Sequence, residues 1–484
     1  MKKAALLLSV VLVILLADSC KKDKPNPPLD NPNDTTHIDT THIPLDTMYI
    51  QSTPWPKWVF QHWVWEGEGT TASARQLVDD YLAHNIPVGA IIIDSPWETD
   101  YNTFEWDGAR YPNAQGMIDY FHQKNVRVLC WITGIIDTTA HPQYDYARDN
   151  NFFMRANSAA TSPAVISWWK GKGSLIDWYN PTAVAWWKTQ MDKALDMGID
   201  GWKCDGTDFS VSLSPYSPAK GANVDRLDYS HQYYQLFQDY SRQKLGNDRV
   251  VMCRPIDNYA FANFGGDAVA FCQPNMGWAC WVGDQDASFG SKGILGALNN
   301  MYWSSVYTNP RPYLSCGSDI GGYRTDDTYG AVGRSKQLFI RWAQLGTFCG
   351  LMENGGGGEH RPWMFDQQTN EIYKKLVDMR EKYLVGYLLK ESVKADAAGK
   401  SLMRFQNSTS YSYLLGDDIF VAPVLDEYGN VTINFPSGSD KWVYLYDNSK
   451  VYDGGTAQTL FFPIDQYPVF VKQGTSTAAI LKPY

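Results

Sequence analysis

Two aspartates stand where short apolar runs end, in settings suited to nucleophilic and acid–base work. Asp205 closes Gly198-Ile-Asp-Gly-Trp-Lys-Cys-Asp205, and Asp284 closes Trp281-Val-Gly-Asp284. A glycosidic bond breaks through an oxocarbenium-like transition state. One carboxylate attacks or stabilises it, and one acid protonates the leaving oxygen. Asp94, Arg254 and Asp319 end similar runs. A purely structural core gives no reason for a polar residue to recur at such ends. Aspartate is nonetheless common at strand ends, so spacing alone leaves a sugar hydrolase, a binding protein and a structural role open.

The elements that must position these residues follow from periodicity. Apolar runs suited to strands lie at 58–65, 88–94, 126–133, 199–205, 249–254, 277–284, 313–319 and 347–352, with 268–272 competing for the sixth place. Stretches of helical period separate them, at 72–84, 115–124, 182–197, 230–245 and 329–345. Eight strands alternating with helices predict an α/β fold, a (β/α)8 TIM barrel over 55–391. In such a barrel the C-terminal strand ends meet at one mouth, where chemistry is done. A helix over 370–388 closes it. Beyond residue 392 the pattern changes to short alternating segments with turn residues, including 419–423, 431–435, 441–446 and 469–471. These predict a small C-terminal antiparallel β-sandwich over 392–484.

The chain has 484 residues, of which 44% are hydrophobic and 19% charged, enough apolar surface for a large core. Wholesale disorder, collagen and coiled coil are excluded. A net charge of −10 repels a phosphate backbone, so nucleic acid is not an expected partner. The 19 tryptophans serve either a large aromatic core or a surface on which sugar rings stack. Besides Cys20, seven cysteines are widely spaced in apolar runs, at 130, 204, 253, 272, 280, 316 and 349. They read as small buried hydrophobes rather than a disulfide framework. No Cys-x-x-Cys or His-Glu-x-x-His motif occurs, and neither a metal nor a cofactor is expected.

At the N-terminus, Lys2 and Lys3 precede an apolar run over 4–17 that ends in Asp18-Ser19-Cys20. The run is short for a bilayer span and reads as a secretory signal. It resembles a bacterial lipoprotein signal over 1–20, in which Cys20 becomes the lipidated first residue of the mature chain. That reading places the protein in the cell envelope, touching membrane through the lipid alone. Residues 21–54 are polar and rich in Pro, Asn, Asp and Thr, with Asp-Thr-Thr-His-Ile repeated at 34–38 and 39–43. They read as an extended tether.

Taken in order, the motifs resemble glycoside hydrolase family 31, the retaining α-glycosidases, over about residues 55–475. Trp58-Val-Phe-Gln-His-Trp63 resembles its opening barrel strand, and Tyr111-Pro-Asn-Ala-Gln-Gly-Met117 with Val126–Ile132 its third-strand region. Gly198–Asp205 resembles the nucleophile strand and Trp281-Val-Gly-Asp284 the acid/base motif. Ser318-Asp-Ile-Gly-Gly-Tyr323, Arg341-Trp-Ala-Gln-Leu-Gly346, Gly416–Val424 and Pro468-Val-Phe-Val471 are close to further signatures. The resemblance implies Asp205 as nucleophile and Asp284 as acid/base. It implies that Asp94, Trp131, Arg254 and Trp281 contact sugar, with Arg254 also fixing the nucleophile's charge. Lys203 and Asp319 join them as candidate substrate-binding residues. The expected activity is exo-acting removal of terminal α-linked glucose, xylose or galactose from an oligo- or polysaccharide. A non-catalytic glycan-binding lipoprotein and a transglycosylase are the alternatives.

Three departures accompany the resemblance. The family's usual N-terminal β-sandwich has no counterpart before the barrel in this sequence, so a pocket wall is expected from the insertion over 135–180 with its Trp168, Trp169, Trp178 and Tyr179. The glutamate that usually follows the nucleophile motif is replaced, at best, by Asp208. The histidine usual after strand 8 is absent, the chain reading Met352-Glu-Asn-Gly-Gly-Gly-Gly-Glu-His360. His360 is the expected substitute, with Glu353 and Asn354 as alternatives.

Overall fold

A computed structural model describes residues 55–205, 214–254, 274–276, 278–307 and 311–481. The tether, Cys20, Asp208 and the competing strand at 268–272 lie outside the described residues. In chain order come β1 His62–Glu66, α1 Thr71–Ala83, β2 Ala90–Ile93, α2 Ala114–Gln123 and β3 Arg127–Ile132. The insertion follows, with β4 Ile135–Asp137, α3 Gln143–Asp149, β5 Val165–Trp168 and β6 Gly171–Leu175. Then come α4 Pro181–Leu195, β7 Gly201–Cys204, the short pair β8 Tyr216–Ser217 and β9 Ala222–Asn223, α5 Arg226–Leu245 and β10 Val250–Met252. Helices Ile294–Val306 and Lys336–Thr347 precede β11 Met352–Asn354.

Six staves form one parallel sheet in the order β10-β7-β3-β2-β1-β11. Single parallel bridges complete the ring: Cys253 with Cys280, Trp281 with Gly317, and Asp319 with Glu353. The expected barrel is present, with its sixth and seventh staves reduced to bridge-length contacts. Staves covered on both faces read as unbroken apolar runs, and β2 (Ala-Ile-Ile-Ile) is buried throughout. Gly201 sits where β7 meets β10; a Cβ there would lie 2.2 Å from the Val250 carbonyl oxygen, so no larger residue fits without a shift.

Several elements differ from the sequence expectation. The first strand starts later, after a 3-10 turn at Lys57–Phe60. The eighth stave is Met352–Asn354 rather than 347–352, because helix Lys336–Thr347 runs through the start of the apolar stretch. Arg380 explains why the closing helix is longer and interrupted. Its buried guanidinium donates to the carbonyls of Thr347 (2.9 Å), Cys349 (2.7 Å) and Gly350 (2.7 Å), which capping would otherwise leave open. Helix Gln367–Met379 passes through a π turn at Arg380–Leu384 and continues as Val385–Ala397.

The C-terminal domain has one antiparallel sheet, ordered Met403–Phe405, Tyr413–Leu415, Ile419–Val421, Val469–Lys472, Lys441–Tyr444, Val451–Asp453, and a ribbon of Asn430–Asn434 with Ala457–Phe461. Phe420, Phe435, Trp442 and Phe470 fill a core of their own. Arg341 ties this domain to the barrel, donating to the carbonyls of Phe462 (2.7 Å) and Gln466 (2.8 Å), while Gln344 donates to Ile464 (2.8 Å). The Arg341-Trp-Ala-Gln motif is therefore a joint between domains.

Candidate active site

The C-terminal stave ends carry two adjoining charge clusters. In the first, Asp205 follows β7, its amide donating to the Ile132 carbonyl of β3 (2.8 Å). Trp131 of β3 donates its indole N–H to Asp205 Oδ2 (3.1 Å). Arg254, two residues past β10, places Nη2 2.9 Å from Asp205 Oδ1 and 3.5 Å from Asp284 Oδ1. Its Cζ lies 4.3 Å from the centre of the Trp281 ring, which holds the guanidinium plane. The Asp205 and Asp284 side chains are 13% and 23% exposed, so both open to the mouth.

The second cluster lies deeper. Lys203 points inward from β7, with Nζ 3.2 Å from Asp94 Oδ2, 3.8 Å from the centre of the Trp65 ring and 5.1 Å from that of Trp281. Trp65 donates to Asp319 Oδ1 (3.2 Å). Glu353 on β11 bridges to Asp319 in the sheet, and both are fully buried. Burial pushes the Asp94 carboxyl up against the opposing pull of Lys203. Burial raises Asp319 to about 6, and lifts Glu353 well above the carboxylate range with help from Asp319. Burial disfavours the Lys203 ammonium, but the facing carboxylates of Asp94, Asp319, Glu353 and Asp205 outweigh it and hold the proton on. Among the described residues no group of three or more His, Cys, Asp or Glu is spaced to hold a metal ion.

The structure thus brings together Asp94, Trp131, Lys203, Asp205, Arg254, Trp281, Asp284 and Asp319. It does not bring His360 to them. The Asn354 amide donates to the Tyr81 hydroxyl of α1 (2.8 Å) and to the His360 carbonyl (2.9 Å), which puts the Asn354 side chain and the His360 backbone carbonyl on the helix side of β11. The His360 imidazole is buried beside Arg334, Glu359 and Arg361, and burial holds it neutral, down to about 3. Among the described residues no hydrogen bond or ion pair joins the His360 ring to the catalytic cluster, and alternation turns Glu353 inward on the neighbouring stave. Trp65, Tyr101 and Tyr323 were also not singled out from the sequence. Trp65 ends the first apolar run and carried the same strand-end signal as the aspartates.

Part of the insertion lies beside Trp131 of the site. Its strands form a small sheet ordered β4-β6-β5. Trp169, 48% exposed, sets its ring edge-on to Trp131 at 6.3 Å, and Tyr101 packs edge-on against both Trp131 and Trp168. Trp178 instead joins the core, stacking on Tyr233. The glycine loop lies against the opposite side: a Cβ on Gly355 would come within 2.3 Å of the Trp65 indole, itself stacked on Tyr323.

The model of the glycosyl hydrolase family 31 TIM-barrel domain matches residues 52–389, and that of the family's C-terminal domain matches residues 401–476. The chain belongs to glycoside hydrolase family 31. An alpha-xylosidase of Lactiplantibacillus pentosus is 25% identical over 458 residues, covering 87% of this chain and 54% of the relative. The chain spans about half the length of the curated family 31 relatives it matches first. Among solved structures, a Flavobacterium johnsoniae family 31 dextranase complexed with glucose superposes with a TM-score of 0.74 at 19% identity, covering 88% of this chain and 53% of that one. A family 31 alpha-xylosidase from a soil metagenome complexed with xylose superposes with a TM-score of 0.73 at 19% identity, covering 89% and 65%. These superpositions share the barrel and C-terminal domain described above.

Proposed function

We propose that the protein is a retaining, exo-acting α-glycosidase that removes a terminal glucose, xylose or galactose from an oligo- or polysaccharide. The observation that carries this reading is the shared guanidinium of Arg254. One guanidinium nitrogen lies 2.9 Å from an Asp205 oxygen and 3.5 Å from an Asp284 oxygen, which holds the two carboxyls close together, in keeping with the shorter spacing of retaining pairs. Asp205 attacks the anomeric carbon while Asp284 gives its proton to the departing glycosidic oxygen. Asp284 then takes a proton from water, which displaces Asp205 and restores the original anomeric configuration. Arg254 sets a cation 2.9 Å from the attacking carboxylate and orients it. Exo action is part of the same proposal; Lys203, Asp319 and Glu353 lie buried beneath the more exposed catalytic pair, in keeping with recognition of a chain end. Family membership supports the α configuration.

The test is a panel of aryl α-glycosides and α-linked oligosaccharides, with the product anomer followed by NMR. Hydrolysis with retention is expected. Inversion refutes the mechanism, and no turnover of any α-glycoside favours a binding protein. Attachment to the cell envelope through Cys20 belongs to the same proposal and rests on the lipoprotein-like signal. Cys20→Ser is expected to move the protein from the detergent phase to water; a wild type already in the water phase contradicts it.

A further inference from the structure

We propose that a groove between the barrel and the C-terminal domain, rimmed by Tyr428 and Phe461, is a second carbohydrate-binding site that takes an uncharged stretch of a long polysaccharide. This rests on the reading above that the substrate is a glycan, and it shares no residue with the pocket of Asp205 and Asp284.

The groove encloses about 290 Å³, near the lower end of ligand pockets, which start at roughly 300 Å³. Helix Lys336–Thr347 supplies Lys336, Gln337 and Arg341 to it, helix Gln367–Met379 supplies Gln368, and the C-terminal domain supplies Tyr428 and Phe461. Tyr428 and Phe461 are 69% and 64% exposed, the most of any large hydrophobic side chains among the described residues. One exposed ring is ordinary, but two lining one cavity mark a binding surface. The backbone beneath them is fixed. Asp426 Oδ1 accepts from the amides of Tyr428 (2.8 Å) and Gly429 (3.0 Å), and the Gly429 carbonyl accepts from the Phe462 amide (2.9 Å). Gly429 has φ +82°, and a Cβ there would lie 2.8 Å from Arg341 Nη2, so the turn requires glycine. The second observation is at Arg341, which is 2% exposed. Its Nε is buried without a hydrogen-bond partner among the described residues, a donor left over in the lining of the groove.

Charge selects the kind of ligand. Lys336 Nζ lies 2.6 Å from Asp366 Oδ2 and 2.6 Å from Gln368 Oε1, and Arg341 is engaged by the Phe462 and Gln466 carbonyls. Both cations of the lining are thus already met, and an anionic ligand would face Glu427 beside them. An uncharged ligand with apolar faces and many hydroxyls fits better. A pyranose lays its C–H face on an aromatic ring, and its hydroxyls both donate and accept, as the amides of Gln337 and Gln368 do. Position ties the groove to the catalytic pocket. In a (β/α)8 barrel each helix begins at the mouth end of the stave before it. Lys336, Gln337 and Gln368 stand in the first turns of their helices, so the groove lies toward the mouth. Arg334, two residues before Lys336, donates to the Gly357 carbonyl of the glycine loop. A long chain with its end in the pocket therefore has the groove on the same end of the barrel.

The experiment runs the full chain through native gels containing dextran, soluble starch or xyloglucan, for wild type, Tyr428→Ala, Tyr428→Phe, and Tyr428→Ala combined with Phe461→Ala. Aryl α-glycoside kinetics and gel filtration are run alongside. At least one polysaccharide is expected to retard the wild type, and the double substitution to weaken that binding at least tenfold. Tyr428→Phe keeps the ring and should stay within twofold of wild type. Activity on aryl α-glycosides, too short to reach the groove, should stay within twofold in every variant, while KM on the retarding polysaccharide rises at least threefold in the double variant. Equal retardation of wild type and double variant overturns the proposal, as does retardation by none of the three polysaccharides. A wild-type dimer that the double variant turns into a monomer also overturns it, because a second copy then covers this face. Should the double variant not fold, Tyr428→Ala alone decides, with a threefold loss of binding expected and none overturning the proposal. Ring-dependent retardation without hydrolysis of any α-glycoside upholds the groove and removes the glycosidase reading instead.

Discussion

Asp200 and Glu353 are both fully buried carboxyls of the same barrel, at opposite ends of its staves. Asp200 precedes β7 and is saturated. Arg127 Nη1 lies 2.7 Å from one of its oxygens, and the Val128 amide (2.9 Å) and His122 Nε2 (2.7 Å) meet the other. Burial pushes Asp200 up, but those donors win and hold it below the ordinary range. Glu353 has no such donors, and burial keeps it well above that range. Equal burial with opposite saturation sets the two carboxyls apart: one is fully met by donors, the other has none among the described residues.

The largest way to sharpen this contrast is at the catalytic pair. Asp205→Asn is expected to lower kcat roughly 10,000-fold with little change in Tm, because the substitution keeps shape and neighbouring packing. Asp284→Ala is expected to cost roughly 1,000-fold on substrates with poor leaving groups and under about tenfold on activated aryl glycosides, which need little protonation. Equal losses on both substrate types move suspicion to Asp286, which pairs with Arg324 at 2.9 Å.

Smaller, and opposite in character, is Asp200→Asn. It should leave kcat/KM unchanged and cost about 2 kcal/mol of stability, toward the low side for a broken buried pair because His122 and Arg127 are partly exposed. Its pH dependence has a definite sign. The folded value lies below the usual 3.8, so the stabilisation is complete above that pH and disappears as acid passes through the folded value. Asp319 runs the other way. Its folded value near 6 means that ionisation between about 4 and 6 favours the unfolded chain. Asp319→Asn is thus expected to raise Tm relative to wild type at pH 7 more than at pH 4. Thermal scans of both variants across pH 3–8 check the pair, and parallel curves would break the contrast.

The smallest effect is expected at His360. With its backbone carbonyl held by Asn354 and its ring buried beside Arg334, Glu359 and Arg361, His360→Ala should change kcat/KM by less than about threefold. A hundredfold loss would place it back in the pocket.

Much of this site was legible in the sequence, because Asp94, Asp205, Arg254, Asp284 and Asp319 each interrupt an apolar run where a stave ends. The eighth stave was not. Its residues, Met-Glu-Asn, carry an inward acid and an outward amide, so the run-of-apolar signal fell instead on 347–352, which begins where a helix ends. The choice between His360 and Glu353 was hidden for a related reason. It depends on which way a three-residue stave faces, and that is set by Tyr81 on the distant α1 and by Gly346 on the helix just before the stave. The sixth and seventh staves were seen as runs but are held by single bridges, since pairing length depends on neighbours that composition does not reveal.

The central claim, a covalent intermediate on Asp205, is tested most directly by trapping. The 5-fluoro glycosyl fluoride of the best substrate should inactivate the enzyme. Peptide mass spectrometry should then find one glycosyl group on Asp205, with none incorporated in Asp205→Asn. A label on another residue, or stoichiometric labelling of Asp205→Asn, would contradict it.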